Sequence, residues 1–138
     1  MQVSIGNIVL FEFHGKTRIG VVVALDTIPG SAAVAIGYGV HNRHDDEVTV
    51  NPSSKDGKLL RIYKTTSFYA ERTHLIPKSE LRPTGRNCST SLLRKLEPFA
   101  GSAVRNNFIE ISQPLQKKPQ TYSTGEFSVT LGDLIENT

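Results

Sequence analysis

The pattern of apolar and polar positions opens with two β-type runs separated by a short polar connection. Residues 8–13 and 19–25 are rich in β-branched and aromatic side chains, which is the composition of strands. The second run is apolar at nearly every position, which indicates a central strand buried on both faces. The connection, residues 14–18, contains a His, a Lys and an Arg, so two strands would hold a basic loop able to grip a phosphate.

Further short runs predict a mainly β domain with a little helix after it. Strands are expected at residues 32–38, 48–50, 59–69 and 73–77, with turn signals between them. A short helix over residues 91–96 has an N-cap in Ser89 or Thr90, and the first part of residues 100–111 is also expected to be helical. Short strands at regular spacing favour a small antiparallel barrel with one or two short helices.

The composition changes after residue 112. Residues 113–125 are rich in Pro, Gln, Lys, Ser and Thr, as in a linker or a loosely packed tail. Residues 127–135 then contain five apolar side chains, enough for a short terminal element to dock on the domain or capture a partner. The predicted organisation is a barrel domain over residues 1–112, followed by a linker and C-terminal docking segment over residues 113–138.

Length and composition exclude several classes of protein. At 138 residues the chain suits one domain, and no apolar run approaches the roughly 20 residues that span a bilayer. The first residues lack the basic and apolar regions of a secretion signal. Cys88 is the only cysteine, which excludes an intrachain disulfide and a cysteine-based zinc cluster. We therefore expect a cytoplasmic protein without membrane association.

Charge is mild overall but uneven along the chain. The net charge is +3, yet residues 61–105 contain nine basic residues against three acidic ones. A basic face of this kind favours a polyanion partner, through phosphate contacts and counterion release. A solvated surface without a partner is an equally good interpretation of the same excess.

The strands also carry a sequence pattern of a known kind. Residues 6–13 read Gly-Asn-Ile-Val-Leu-Phe-Glu-Phe, and residues 17–23 read Thr-Arg-Ile-Gly-Val-Val-Val. Residues 63–67 read Tyr-Lys-Thr-Thr-Ser, and residues 72–76 read Arg-Thr-His-Leu-Ile. Together these pieces resemble the PemK/MazF-like toxin family, although Ile19 stands where the family has a Pro. The resemblance extends over about residues 6–96, implies an SH3-like barrel, and is shared by phage- and plasmid-borne relatives with a Gly-Tyr-Gly-like step similar to residues 37–39.

The resemblance implies an activity and a set of partners. Members of the family that are toxins cleave single-stranded RNA without a metal or cofactor, by attack of the RNA's own 2′-OH on the adjacent phosphorus. Carried over to this sequence, Arg18 would clamp the phosphate and act as the acid, and Thr66 would be the hydroxyl partner, or Ser67 if the register shifts. The implied partners are single-stranded RNA, a cognate antitoxin or host protein target, and a second copy of the chain in a homodimer.

Other residues are weaker candidates. His14 lies near Arg18, and a neutral imidazole could accept the 2′-OH proton, although a simple loop residue is the commoner case. The candidates for RNA contacts are cations: Lys16, Arg61, Lys64 and Arg72. Four aromatic residues could stack bases or belong to the core: Tyr38, Tyr63, Phe68 and Tyr69. The His-x-x-His spacing within residues 41–47 lacks a third ligand at a distance, so no metal site is expected.

A rival function remains open from the sequence alone. The same barrel could be a non-catalytic binding module, either a phage- or plasmid-encoded inhibitor of a host system or a general nucleic-acid-binding protein. Whether the chain is an enzyme depends on whether the resemblance extends to activity. A toxin should be hard to express without its partner, whereas a binding module should express freely.

Overall fold

The fold is built mainly from β-strands, as the sequence predicts. The computed structural model describes residues 2–39 and 46–112. The strands are β1 (Asn7–Phe13), β2 (Lys16–Leu25), β3 (Ser31–Ile36), β4 (Val48–Val50), β5 (Thr66–Phe68), β6 (Thr73–Pro77) and β7 (Arg82–Asn87). The helices are α1 (Lys55–Leu60), α2 (Thr90–Leu96) and α3 (Ala100–Ser112), with short 3-10 turns at Ala70–Arg72, Lys78–Glu80 and Glu97–Phe99.

Five strands form one antiparallel sheet in the order β6-β3-β2-β1-β7, and β4 pairs with β5 in a second sheet. Among the described residues the edge strands β6 and β7 do not pair, so the hydrogen-bonded ladder is an open sheet and not a closed barrel. The two sheets are joined at one point, where Tyr38 and Ser67 form an antiparallel bridge. The Tyr38 amide donates to the Ser67 carbonyl at 2.9 Å, and the Ser67 amide donates to the Tyr38 carbonyl at 2.8 Å.

The central strands are buried on both faces, which confirms the prediction for β2. Side chains alternate along β2, so that Val21 and Val23 enter one hydrophobic cluster while Val22 enters a second. In β3, Ala33 and Ala35 join the first cluster, and three residues join the second: Ala32, Val34 and Ile36. Tyr38, just after β3, packs against the second cluster. Leu92, Leu96 and Phe99 cover the first cluster from α2 and the turn after it.

The strand predicted over residues 59–69 is wrong for its first half. Only its first two residues belong to α1, which begins where the Ser54 hydroxyl accepts the Gly57 amide at 3.0 Å, and residues 61–65 form turns and bends before β5. Leu60 is fully buried in the first cluster, and Arg61 ends the helix in the left-handed conformation with φ of 57°. Tertiary burial of Leu60 and a good cap therefore outweigh an alternating pattern that favours a strand.

The chain divides into two units, Met1–Phe108 and Ile109–Thr138. Of the second unit only the end of α3 is described, and the predicted linker and docking segment, residues 113–138, lies outside the described residues. In the part of the chain that the structure describes, no helix is long and apolar enough to cross a membrane.

Candidate functional site

A groove of about 620 Å³ lies where the beginning of β2, the connection between α1 and β5, and strand β7 meet. Five cationic side chains line it: Arg18, Arg61, Lys64, Arg82 and Arg86. The apolar floor comes mainly from Leu10, Ile19, Leu60 and Ile62. Among the described residues no Asp, Glu or His lines this surface, which we call the basic groove. Its chemistry suits an anion, since cations without carboxylates favour phosphate groups.

Arg18 reaches the basic groove from a strand and not from a loop. The hairpin turn consists of His14 and Gly15, whose φ angles of 51° and 81° are typical of a type I′ turn. Lys16, Thr17 and Arg18 therefore already belong to β2, and Arg18 stands opposite Phe11 of β1. The basic loop predicted over residues 14–18 is therefore only two residues long, because a type I′ turn continues the twist of both strands and lets β2 begin at Lys16.

The Arg18 side chain is held by an aromatic ring. Its Cζ lies 4.4 Å from the centroid of the Tyr38 ring, a cation–π contact. Its Nε is buried, and none of the residues that the structure describes accepts a hydrogen bond from it. A buried donor without an acceptor is costly, so the Arg18 side chain carries an unsatisfied group beside the basic groove.

Thr66 lines the same groove from β5 and is 6% exposed. Its hydroxyl donates to the Lys64 carbonyl at 3.1 Å, which leaves its oxygen lone pairs as acceptors. Gly37 packs against it so closely that a Cβ there would lie 2.7 Å from the Thr66 methyl carbon. The absence of a side chain at residue 37 therefore allows β5 to bring Thr66 to this position.

Two arginines that the sequence interpretation missed come from β7. Arg82 and Arg86 lie on the edge strand, and Thr84 lines the groove between them. The alternation of these residues with a period of two is a strand signal that could have identified them. The Arg86 Nε donates to the Leu59 carbonyl at 2.6 Å. Burial, and then the charge of the neighbouring Arg61, lower the pKa of Arg86 below its ordinary value.

Three other candidates lie outside the groove. The Ser67 side chain is fully buried and donates to Glu47 at 2.6 Å, because consecutive residues of β5 point to opposite faces. The His14 ring stacks on Phe13 at 4.1 Å in the hairpin turn. Lys16 is exposed at the start of β2 and does not line the groove.

The aromatic candidates separate into different environments. Phe68 and Tyr69 are fully buried and belong to the core. Tyr63 is 89% exposed and lines the groove, so it remains a candidate for base stacking. Tyr38 contacts Arg18 and also Arg72, whose Cζ lies 4.2 Å from the ring centroid. Arg72 therefore adjoins Arg18 through the ring, although it does not line the groove itself.

Metal ligands and the single cysteine are two further features of the described residues. They contain no group of three or more His, Cys, Asp and Glu side chains able to hold a metal ion, and residues 41–45 of the His-x-x-His segment lie outside them. Burial, and then the charge of Asp56, raise the pKa of the Cys88 thiol to about 11. This thiol is therefore protonated at neutral pH and is not a nucleophile.

Comparison with known proteins shows similarity of fold at low sequence identity. Neither a family model nor a curated protein sequence matches the chain. A chain of the MazE–MazF crystal structure from Deinococcus radiodurans matches with a TM-score of 0.54 and 14% identity, over 74% of this chain and 94% of that one. A chain of a mycobacterial endoribonuclease in complex with its cognate antitoxin matches with a TM-score of 0.55 and 13% identity, over 75% and 96%. The chain is thus similar in fold to proteins of the MazE–MazF type.

Proposed function

We propose that this chain is a metal-independent endoribonuclease toxin of a toxin–antitoxin system, which cleaves single-stranded RNA. The observation that supports this best is the convergence of Arg18 and Thr66 on one groove with four further cations. The two residues are 48 positions apart along the chain, and the bridge between Tyr38 and Ser67 brings β5 next to the sheet that carries Arg18. The fold similarity to proteins of the MazE–MazF type agrees with the same function.

In the proposed reaction the RNA 2′-oxygen attacks the adjacent phosphorus, and the bond from phosphorus to the 5′-oxygen breaks. Arg18 binds the non-bridging oxygens with its planar fork, so that the added negative charge of the transition state is stabilised. The 2′-OH gives its proton to a solvent water molecule as its oxygen bonds to phosphorus. The leaving 5′-oxygen takes a proton from Arg18, because an alkoxide is more basic than a neutral guanidine group, and water reprotonates Arg18 after the products leave. The products are a 2′,3′-cyclic phosphate and a 5′-hydroxyl.

The role of Thr66 in this proposal is to orient the nucleophile. Its hydroxyl hydrogen is bonded to the Lys64 carbonyl, so its oxygen is free to accept a hydrogen bond from the 2′-OH. Arg61, Lys64, Arg82 and Arg86 neutralise neighbouring phosphates and fix the RNA in the groove. The proposal requires neither Ser67 nor His14, because neither lines the groove.

The basic groove also suggests how a cognate antitoxin would bind. A cognate antitoxin would inhibit the toxin by covering the basic groove, and its acidic side chains would complement the cations there. We further propose a cytoplasmic homodimer, on the strength of the family resemblance.

A non-catalytic nucleic-acid-binding module is the second candidate function. One observation favours it: none of the described groove residues is an Asp, Glu or His that could accept the 2′-OH proton. Such a groove would bind RNA through its phosphates without cutting it.

The deciding experiment incubates the purified protein with a single-stranded RNA in the presence of EDTA. Cleavage that leaves 2′,3′-cyclic phosphate and 5′-hydroxyl ends is expected. The matched control is the same RNA with a single 2′-deoxynucleotide at the cut site, which should remain intact because the nucleophile is missing. Tight binding of both RNAs with no cleavage of either would support the binding module in place of the enzyme.

A further inference from the structure

The ring of Tyr38 makes cation–π contacts with two arginines from different parts of the chain. Arg18 comes from β2, and Arg72 comes from the 3-10 turn before β6. Their Cζ atoms lie 4.4 Å and 4.2 Å from the same ring centroid. The two positive charges are therefore within about 9 Å of each other, which is close enough for appreciable repulsion near a protein surface.

Neither cation is neutralised by the described part of the chain. Within residues 2–39 and 46–112, the ion pairs involve other side chains, namely Lys78 with Asp26 and Arg82 with Glu12. The buried Nε of Arg18 also lacks an acceptor among these residues. Two guanidinium groups on one ring, with no described carboxylate paired to either, form an arrangement that an anion would stabilise.

An aromatic ring holds a guanidinium group differently from a carboxylate. A carboxylate takes up the N–H donors of the arginine fork, and those donors are then unavailable to a ligand. A ring face attracts the cation through its quadrupole and leaves the donors at the guanidinium edge uncommitted. Tyr38 can therefore fix the position of Arg18 and Arg72 while both remain able to bind phosphate oxygens.

The backbone of Tyr38 is well fixed for this purpose. Its amide and carbonyl both bond to Ser67, at 2.9 Å and 2.8 Å. Ser67 in turn is fully buried and bonded to Glu47. The ring is thus attached to the backbone bridge that joins the two sheets, and the preceding residue, Gly37, packs against Thr66.

We propose that Tyr38 is a positioning residue, whose ring holds Arg18 and Arg72 together as one clamp for a backbone phosphate of single-stranded nucleic acid. The proposal rests on the proposed function in taking RNA as the natural ligand, but the clamp itself does not require cleavage. It assigns the Tyr38 ring to the protein's own arginines and not to an RNA base.

The first test observes the arginines directly in the free protein. In ¹H–¹⁵N spectra, the Nε–H signals of Arg18 and Arg72, assigned with Arg18→Lys and Arg72→Lys variants, should be shifted upfield by the Tyr38 ring current. Tyr38→Phe should retain this shift and Tyr38→Leu should abolish it, while Tyr63→Leu, which removes an exposed tyrosine, should leave both signals in place. Signals that do not move in Tyr38→Leu would overturn the proposal. If the Leu variant does not fold, Tyr38→Met takes its place.

The second test measures phosphate recognition without chemistry. Fluorescence anisotropy gives the affinity for a single-stranded DNA, which lacks the 2′-OH, and for an abasic phosphodiester of equal length. We expect Tyr38→Leu to weaken both by at least about tenfold and Tyr38→Phe to stay within about threefold of the wild type. An unchanged affinity in Tyr38→Leu, an equal loss in Tyr38→Phe, or a loss confined to the DNA with bases would each overturn the clamp.

The experiments distinguish a failure of the proposed function from a failure of the clamp. If the wild-type protein cuts no RNA but the ring-current and binding results are as expected, the enzyme proposal falls and the clamp stands. If the wild type cuts RNA, Tyr38→Leu should also lower the rate at saturating RNA by about tenfold or more, with recovery in Tyr38→Phe.

Discussion

The two ends of strand β2 each carry a cluster of charged residues, and the clusters differ in how charge is compensated. Just after the C-terminal end, Asp26 pairs with Lys78 at 2.8 Å and accepts the Gly30 amide at 3.1 Å. Near the N-terminal end, Arg18 joins four other cations in a groove that no described carboxylate lines. The paired charges close a turn of the fold, whereas of the five groove cations only Arg82 pairs with a described carboxylate, that of Glu12 at 3.6 Å. On this difference rests our proposal that the groove at the N-terminal end is the functional site.

The largest expected effect comes from Arg18. If the basic groove is an active site, Arg18→Ala should lower RNA cleavage by about 100-fold, since it removes a transition-state contact that is worth about 2.7 kcal/mol. Arg18→Lys should recover little, because it loses the planar fork. Arg94→Ala is the matched control, since Arg94 is exposed on α2 outside the groove and should cleave as the wild type does. A loss below about threefold in Arg18→Ala would show that Arg18 is not catalytic.

Thr66 should give a smaller effect of the same kind. Thr66→Val keeps the shape and removes the hydroxyl, and we expect the single-turnover rate to fall about tenfold, or about 1.4 kcal/mol. Thr66→Ser should restore most of the rate. Thr65→Val removes a neighbouring hydroxyl that bonds Asn51 and does not line the groove, so it should behave as the wild type. Equal losses in both Val variants would point to a disturbed β5 and not to chemistry.

The salt dependence of the affinity for single-stranded RNA should distinguish the cations of the basic groove from Lys78 in the paired cluster. For single strands, the logarithm of the affinity should fall with the logarithm of salt by about 0.7 for each neutralised phosphate. Lys64→Gln and Arg61→Gln should each reduce this slope by about 0.7, because each removes one groove cation. Lys78→Gln, which removes a paired cation, should leave the slope unchanged. A slope that responds equally to all three variants would contradict the distinction between the ends of β2.

The smallest effect is expected from the paired cluster and concerns stability. The hydrogen bond from Lys78, followed by that from the Gly30 amide, lowers the pKa of Asp26 below its ordinary value of 3.8. A lowered folded-state pKa contributes stability above 3.8, and this contribution is lost as pH falls through the folded value. Thermal melts should therefore show the wild type slightly more stable than Lys78→Met at neutral pH, with the difference vanishing in strong acid. A difference that persists in strong acid would have a cause other than this pair.

The sequence predicts the fold best where burial leaves a strong pattern. The apolar run in β2 and the alternation between its two clusters follow from the Val21–Val23 segment. The resemblance also directs attention to Arg18 and Thr66, which the structure places in one groove. These are local or family-level signals, and they are visible in a single sequence.

The missed features depend on contacts between distant segments. Helix α1 was hidden by an alternating pattern, because only the burial of Leu60 and the Ser54 cap decide its conformation. Strand β7 was hidden by Pro83, which an edge strand tolerates and a central strand does not. Arg82 and Arg86 were missed with it. The choice between Thr66 and Ser67 needed the register of β5, which only the pairing with β4 and the Tyr38 bridge provides.

Arg61 illustrates a conflict between stability and function within one residue. It ends α1 with φ of 57°, a conformation that costs a non-glycine residue about 1 kcal/mol and is the usual place of glycine after a helix. Arg61→Gly should therefore raise the melting temperature while weakening RNA binding, because the groove loses a cation. Variants selected for heat resistance alone should drift toward glycine at this position, and variants selected for activity should retain arginine.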